Sequence, residues 1–243
     1  KIMAWEKSIF LADTHGDLVC PKAVKVVKQF VEDWQPKHRV HLGDVWDFRS
    51  LRKGASPEER MEGISYDYSC GMELLDWYRP NFLTMGNHDF RLWRAAQESS
   101  NGMLAELCAM KAQDTEDELR KMKIKWVPWN VSSHLSIGSL KLIHGFRATM
   151  YPAKAHFEHW GSCIHGHTHK PDIYHARHID RGTAHSVGTL ADMTKMSYAD
   201  HHAAKLGWRN SFAYGLHNTK TGKHEIWQVV KEGNDWISPM GTL

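Results

Sequence analysis

The chain has 243 residues, with 31 lysines and arginines against 28 aspartates and glutamates, a formal charge of +3 with histidine neutral, and 42% hydrophobic residues. That length and apolar share suit one globular unit with a real core, and they exclude a disordered, collagenous or coiled-coil chain. The charge is no nucleic-acid footprint, since the richest basic stretch, Arg120 to Lys125, directly follows Glu116, Asp117 and Glu118.

Ile9–Ala12 is a short apolar run ending at Asp13, and it reads as a buried strand with a polar loop at its C-terminal end. Pro21 can open a helix, and Ala23, Val24, Val27, Phe30, Val31 and Trp34 recur at helical spacing until Pro36 ends it. Val40–Leu42 is the next strand and closes on Gly43-Asp44, so strand, helix and strand follow the rhythm of an α/β fold. Residues 48–80 interrupt that rhythm. Ser56, Pro57 and Glu59 form a helix start with a capping box, and a second helix is expected over about Tyr66–Tyr78. Asn81–Met85 is a third strand running into Gly86-Asn87-His88-Asp89. Phe90–Lys123 is helical and amphipathic with a break at Asn101-Gly102, and Ile124–Trp129 is a strand.

The second half is richer in strands. Leu135–Ile137 and Leu140–Ile143 flank the turn Gly138-Ser139, and Tyr151–Trp160 is a short helix. Cys163-Ile164 leads into Gly166-His167-Thr168-His169, and Phe212–Leu216 and His224–Val230 form a hairpin about Asn218–Gly222. No internal repeat or linker interrupts the chain. The expectation is a single domain over 1–243 with two sheets, flanking helices and a cap-like helical insertion at about 48–80.

No apolar run reaches the ~18 residues of a membrane span, and the first residues carry no signal-peptide hydrophobic region. Cys20, Cys70, Cys108 and Cys163 are widely spaced and form no CxxC, which predicts a reduced, disulfide-free, cytoplasmic protein. The unusual counts are 18 histidines and 11 tryptophans. Histidine is the commonest protein metal ligand, so its company decides its role.

Five blocks supply acidic or amide company: Asp13-x-His15, Gly43-Asp44-x-x-Asp47, Gly86-Asn87-His88-Asp89, His144-Gly145 and Gly166-His167-x-His169. Each follows an apolar run, and residues at the carboxyl ends of strands in an α/β sheet converge on one crevice. Acid, imidazole and amide oxygen together suit Mn, Fe or Zn. Taken singly, each acid could cap a helix and each histidine could be packed in a core. Asp89 and His165 are expected to serve loop structure and packing, and His156 with His159 to form a surface pair. Trp46 and Trp208 are candidates for the walls of the crevice, and Arg147 for a phosphate contact. No GxxxxGK or GxGxxG occurs.

In these five blocks the chain resembles the calcineurin-like metallophosphoesterases, whose order is DxH, GDxxD, GNH with Asp or Glu, a lone His before a small residue, and GHxH. The resemblance spans about residues 8–170 and implies a four-layered α/β/β/α sandwich of two mixed sheets. It implies one metal held by Asp13, His15, Asp44 and His169, and a second held by Asp44, Asn87, His144 and His167. The two divalent ions would be Mn, Fe, Zn or Ni, with Mn the first choice in vitro. They would acidify a shared water, and that hydroxide is the expected nucleophile, attacking phosphorus in line. His88 would be a proton donor rather than a ligand, with Asp47 setting its tautomer.

The implied activity is metal-dependent phosphoester hydrolysis on a small phosphate ester or nucleotide-like substrate, with no membrane partner. A diester is slightly favoured over a monoester, because no lysine or arginine clearly pairs with a second terminal phosphate charge. The alternatives are a nuclease acting on DNA or RNA, a protein phosphatase, and a non-catalytic scaffold. The protein-phosphatase branch would have Arg-Gly where this chain has Phe48-Arg49, and Glu where it has Asp89.

Overall fold

The structure is a computed structural model that describes residues 5–177, 181–196, 199–200 and 203–243. His178, His201 and His202, which the sequence places outside the acidic blocks, lie outside the described residues.

The first half runs β1 (Trp5–Leu11), α1 (Pro21–Trp34), β2 (His38–His41), α2 (Pro57–Met61), α3 (Ser65–Tyr78), β3 (Phe82–Thr84), α4 (Phe90–Glu98), α5 (Gly102–Lys121) and β4 (Lys125–Val127). The second runs β5 (Leu135–Ile137), β6 (Leu140–Leu142), α6 (Pro152–Trp160), β7 (Cys163–His165), β8 (Asp172–His175), β9 (Thr183–Ser186), β10 (Ser211–Asn218), β11 (His224–Glu232), β12 (Asp235–Ser238) and β13 (Gly241–Thr242). They form two mixed sheets, ordered β13-β12-β11-β10-β1-β2-β3-β4 and β5-β6-β7-β9-β8. β1 to β4 pair in parallel and β10 closes on β1 antiparallel, in register Ile9 to Tyr214.

The alternation along β1 explains the layering. Ile9 and Leu11 point to one face and pack with Val27, Phe30, Tyr78 and Phe212 under α1 and α3. Phe10 and Ala12 point to the other and meet Leu135, Leu140, Leu142 and Ile164 of the second sheet. The second sheet buries its outer face against α6 through Ala153, Cys163 and Ala184. The order is helix, sheet, sheet, helix, as the resemblance implies.

Local signals act where they were expected. Ser56 and Glu59 form both halves of a capping box, and Asn101 caps α5 by accepting from the Leu104 N–H. The 48–80 stretch is the crossover from β2 to β3. Its helix α3 buries Leu74, Leu75 and Tyr78 in the core, whereas Met61 and Tyr66 are exposed. β8, β9, β12 and β13 have no counterpart among the expected elements. β9 reads Thr-Ala-His-Ser, a buried strand without the apolar run that marks one in sequence. Among the described residues, no helix is long and apolar enough to cross a membrane.

Candidate metal centre

The five blocks leave the C-terminal ends of β1, β2, β3, β6 and β7 and meet between the sheets. Their loops are stitched by backbone bonds, with Asp13 N–H donating to Gly43 O at 3.0 Å, His15 N–H to Asp44 O at 3.0 Å and Gly16 N–H to Val45 O at 2.7 Å. Asp13, His15, Asp44, His167 and His169 all have positive φ, between 51° and 69°. Left-handed backbone at a non-glycine residue costs about 1–3 kcal/mol, and here the stitching holds it. Glycine gives the backbone its close approach to the acids: a Cβ on Gly86 would lie 2.0 Å from Asp44 Oδ1, and one on Gly166 2.5 Å from Asp13 Oδ2.

Three groups of donor atoms result: His15, Asp47 and His88 form one, and the residues expected as ligands form two more. In one, Asp13, His15 and His169 place ligand atoms within 4.8 Å of one another, and in the other Asp44, His144 and His167 do the same. Asn87 Oδ1 joins the second group, 3.1 Å from His144 Nε2 and 2.8 Å from His167 Nδ1. Asp44 Oδ2 lies 3.3 Å from His144 Nε2, while Asp44 Oδ1 accepts from the His88 N–H at 2.8 Å. All seven residues expected as ligands therefore stand at this point of the fold.

The donor set fits divalent cations. Nε2 of His15 faces Nε2 of His169 at 3.1 Å, and two imidazole lone pairs at that distance need a proton or a metal ion between them. Nδ1 of His144 lies 2.7 Å from Leu42 O, which puts the proton on Nδ1 and leaves Nε2 as the donor atom. Asp13 and Asp44 are buried and, among the described residues, form their ion pairs with histidines alone, so no lysine or arginine neutralises them and the pocket draws in cations.

The electrostatics agree. Burial opposes ionisation of Asp13 and Asp44, yet the facing histidines outweigh it and hold both carboxyls below the usual range, His169 foremost for Asp13 and His144 for Asp44. Burial likewise opposes a charge on His144, but Asp44 and Asp13 push it up to about 9. Burial and the charge on His144 push His167 down to about 3.

His88 stands beside these groups. Its Nδ1 is 2.6 Å from Asp47 Oδ1, and the side chain retains 14% exposure. Arg91, from the first turn of α4, donates to Asp47 O at 2.7 Å and reaches His88 Nε2 at 3.1 Å. Burial lowers the His88 pKa, with Asp44 and Asp47 working against it.

Sequence reasoning missed some of what holds the centre. Asp67 of α3 accepts from the N–H groups of Asp47 at 3.1 Å and Phe48 at 2.6 Å, and burial pushes its carboxyl up to about 6. An acid in the first turn of a helix gives no sign of this in sequence. Trp46 is not a wall of the crevice. It is fully buried, stacked between Phe48 and Tyr68, with Gly71 of α3 making room for its indole. Trp208 does reach the site, its ring 4.3 Å from that of His169. His156 is not a surface residue: it is buried with its ring 3.8 Å from His165, and only His159 is exposed. The loop at Phe146 turns it inward, since Phe146 N–H donates to His156 Nε2 at 3.1 Å.

No protein-family model matches this chain. The Gene 54 protein of Mycobacterium phage L5 is 24% identical over 244 residues, covering 93% of this chain and 94% of that protein. A metallophosphoesterase from Sphaerobacter thermophilus superposes with a TM-score of 0.50 at 17% identity, over 94% of this chain and 88% of that one. Vacuolar Protein Sorting 29 from Cryptosporidium parvum superposes with a TM-score of 0.51 at 11% identity, over 96% and 95%. The chain thus has the fold of the metallophosphoesterases.

Proposed function

We propose that this chain is a metal-dependent phosphoester hydrolase of the calcineurin-like metallophosphoesterase kind. The observation that carries this is the pairing of two donor groups, Asp13 with His15 and His169, and Asp44 with His144 and His167, beside His88, whose Nδ1 faces Asp47. Asp13, His15, Asp44 and His169 would hold one divalent ion, and Asp44, Asn87, His144 and His167 the other, with Asp44 shared. Mn, Fe, Zn and Ni suit these donors, and Mn is the first to try. Such ions supply positive charge for the phosphoryl group and acidify water near neutral pH.

The chain's own residues do the rest. With Nδ1 committed to Asp47, His88 offers only Nε2 to a substrate oxygen. Arg91 lies within reach of the same nitrogen and of a phosphate placed there. A phosphate's negative charge beside Nε2 favours the imidazolium, the form that can donate a proton to the leaving oxygen. The buried acids and histidines keep bulk water from competing. The proposed substrate is a small phosphate ester, a diester ahead of a monoester, handled by a single domain over 1–243.

The test is chelation, then add-back of Mn²⁺, Zn²⁺, Fe²⁺ or Mg²⁺, against aryl phosphodiester, aryl phosphomonoester, cyclic nucleotides and labelled single- and double-stranded DNA. Loss and recovery of hydrolysis are expected on the aryl diester. Less than about half an equivalent of bound metal, with no rescue, would sink the two-metal centre. Activity confined to DNA would make the chain a nuclease.

A further inference from the structure

Asp47 does more than face His88. Its Oδ1 lies 2.6 Å from His88 Nδ1 and 3.1 Å from Nδ1 of His15, a residue of the Asp13–His169 group. The carboxylate is 3% exposed and His15 fully buried, so no bulk water competes for that oxygen. A carboxylate oxygen has two lone pairs and can accept from both rings, provided both rings carry their proton on Nδ1. For His88, Arg91 settles the matter. A guanidinium has no acceptor, so its approach to His88 Nε2 at 3.1 Å leaves the lone pair on Nε2 and the proton on Nδ1. For His15 the same assignment leaves Nε2 as a lone pair directed at the His169 side of the centre.

Resting on the two-metal reading above, we propose that Asp47 is a shared positioning residue, whose single oxygen Oδ1 accepts from both rings, fixing the tautomer of His15 and the orientation of His88. Affinity at the Asp13–His15–His169 group and the setting of His88 are then coupled through one atom. When His15 Nε2 is engaged, its Nδ1–H becomes a stronger donor and draws on Oδ1, at the expense of the bond to His88. The coupling is reciprocal, so removing the His88 ring leaves Oδ1 to His15 alone and does not weaken the group. In the second group His144 has its own anchor, Nδ1 on Leu42 O, and does not draw on Asp47. That group serves as an internal control.

The experiment titrates the metal-free full chain with Mn²⁺ and with Zn²⁺ by calorimetry, for the wild type, Asp47→Ala, Asp47→Asn and His88→Ala. Long-range ¹H–¹⁵N spectra of the metal-free proteins report the protonated nitrogen of each histidine. In Asp47→Ala, one of two equivalents is expected to weaken about 10–100-fold while the other keeps its affinity. Asp47→Asn, which retains one neutral acceptor and nearly the same volume, falls between and serves if the alanine variant does not fold. His88→Ala keeps both equivalents. The wild-type spectra show Nδ1–H on His15 and His88, and Asp47→Ala shifts His15 toward Nε2–H while His88, whose Nε2 still faces the Arg91 guanidinium, keeps Nδ1–H. Unchanged affinities in both Asp47 variants, or an unchanged His15 tautomer, overturn the shared role while the metal centre stands. A wild-type chain that binds neither ion overturns the metal reading first, and the coupling with it.

Discussion

The buried carboxylate of Asp89 accepts a hydrogen bond from the backbone N–H of Asp44 at 2.8 Å. It also accepts from Gly86 N–H at 2.7 Å and Trp46 N–H at 2.9 Å, so one side chain ties together the loops after β2 and β3. Replacing it with alanine strands these donors in a buried place, at about 1–3 kcal/mol for each one left unsatisfied. Asp89→Ala should therefore lose stability by several of these increments in urea unfolding and bind metal weakly. Asp89→Asn should lose less, because its amide oxygen still accepts from two donors while its NH₂ opposes the third. An alanine variant as stable as the wild type would show that the clamp carries no load.

His88 touches Asp47 and Arg91 and stands apart from the Asp13–His15–His169 and Asp44–His144–His167 groups proposed as ligands, although with His15 and Asp47 it forms a third cluster of donor atoms. His88→Ala should cut turnover by about 10²–10⁴-fold with metal content near that of the wild type. The loss should be greatest for esters with poor leaving groups, where protonation of the departing oxygen matters most. Metal analysis beside kcat on a leaving-group series checks this. Loss of an equivalent of metal would make His88 a ligand.

Much of this was legible because each chemical block follows an apolar run. The runs at Ile9–Ala12 and Val40–Leu42 mark strands, and a strand end fixes where Asp13 and Asp44 emerge. The capping box at Ser56 and the break at Asn101 rest on local chemistry and needed no tertiary information. Asp67, Arg91 and Trp46 took their roles from contacts across the chain: Asp67 from a loop twenty residues away, Arg91 from Asp47, and Trp46 from the gap left by Gly71. β9 escaped for a related reason, since its small polar residues are buried by its neighbours and show no period of their own.

Arg91 links Asp47 and His88 through two separate nitrogens, Nη1 at 2.7 Å from Asp47 O and Nη2 at 3.1 Å from His88 Nε2. A lysine ammonium on its flexible stem cannot reproduce that fork. Both Arg91→Ala and Arg91→Lys should lower kcat, by up to about 10²-fold where misplacement of His88 is the cause, with both metal equivalents retained. Rescue of kcat by lysine would reduce Arg91 to a point charge, and a change in KM alone would make it a substrate contact without a positioning role.

His185 and His217 lie away from the metal centre and are 2% and 1% exposed, each with an Nδ1 that has no hydrogen-bond partner among the described residues. Burial pushes both down to about 3, because a charged imidazole there loses its hydration. In the unfolded chain each titrates near its ordinary value of about 6.5. Between those limits the unfolded chain binds protons that the native chain does not, so stability falls as pH falls from about 6.5 toward 3. Each such histidine adds a slope of up to ~1.4 kcal/mol per pH unit inside that window and none above it. Urea unfolding of the metal-free chain at a series of pH values should show this acid limb. His185→Leu, which removes the titrating ring from the buried strand β9, should flatten the slope by up to one histidine's share. A variant with the wild-type slope would mean that His185 titrates alike in the folded and unfolded chain, with water reaching its ring.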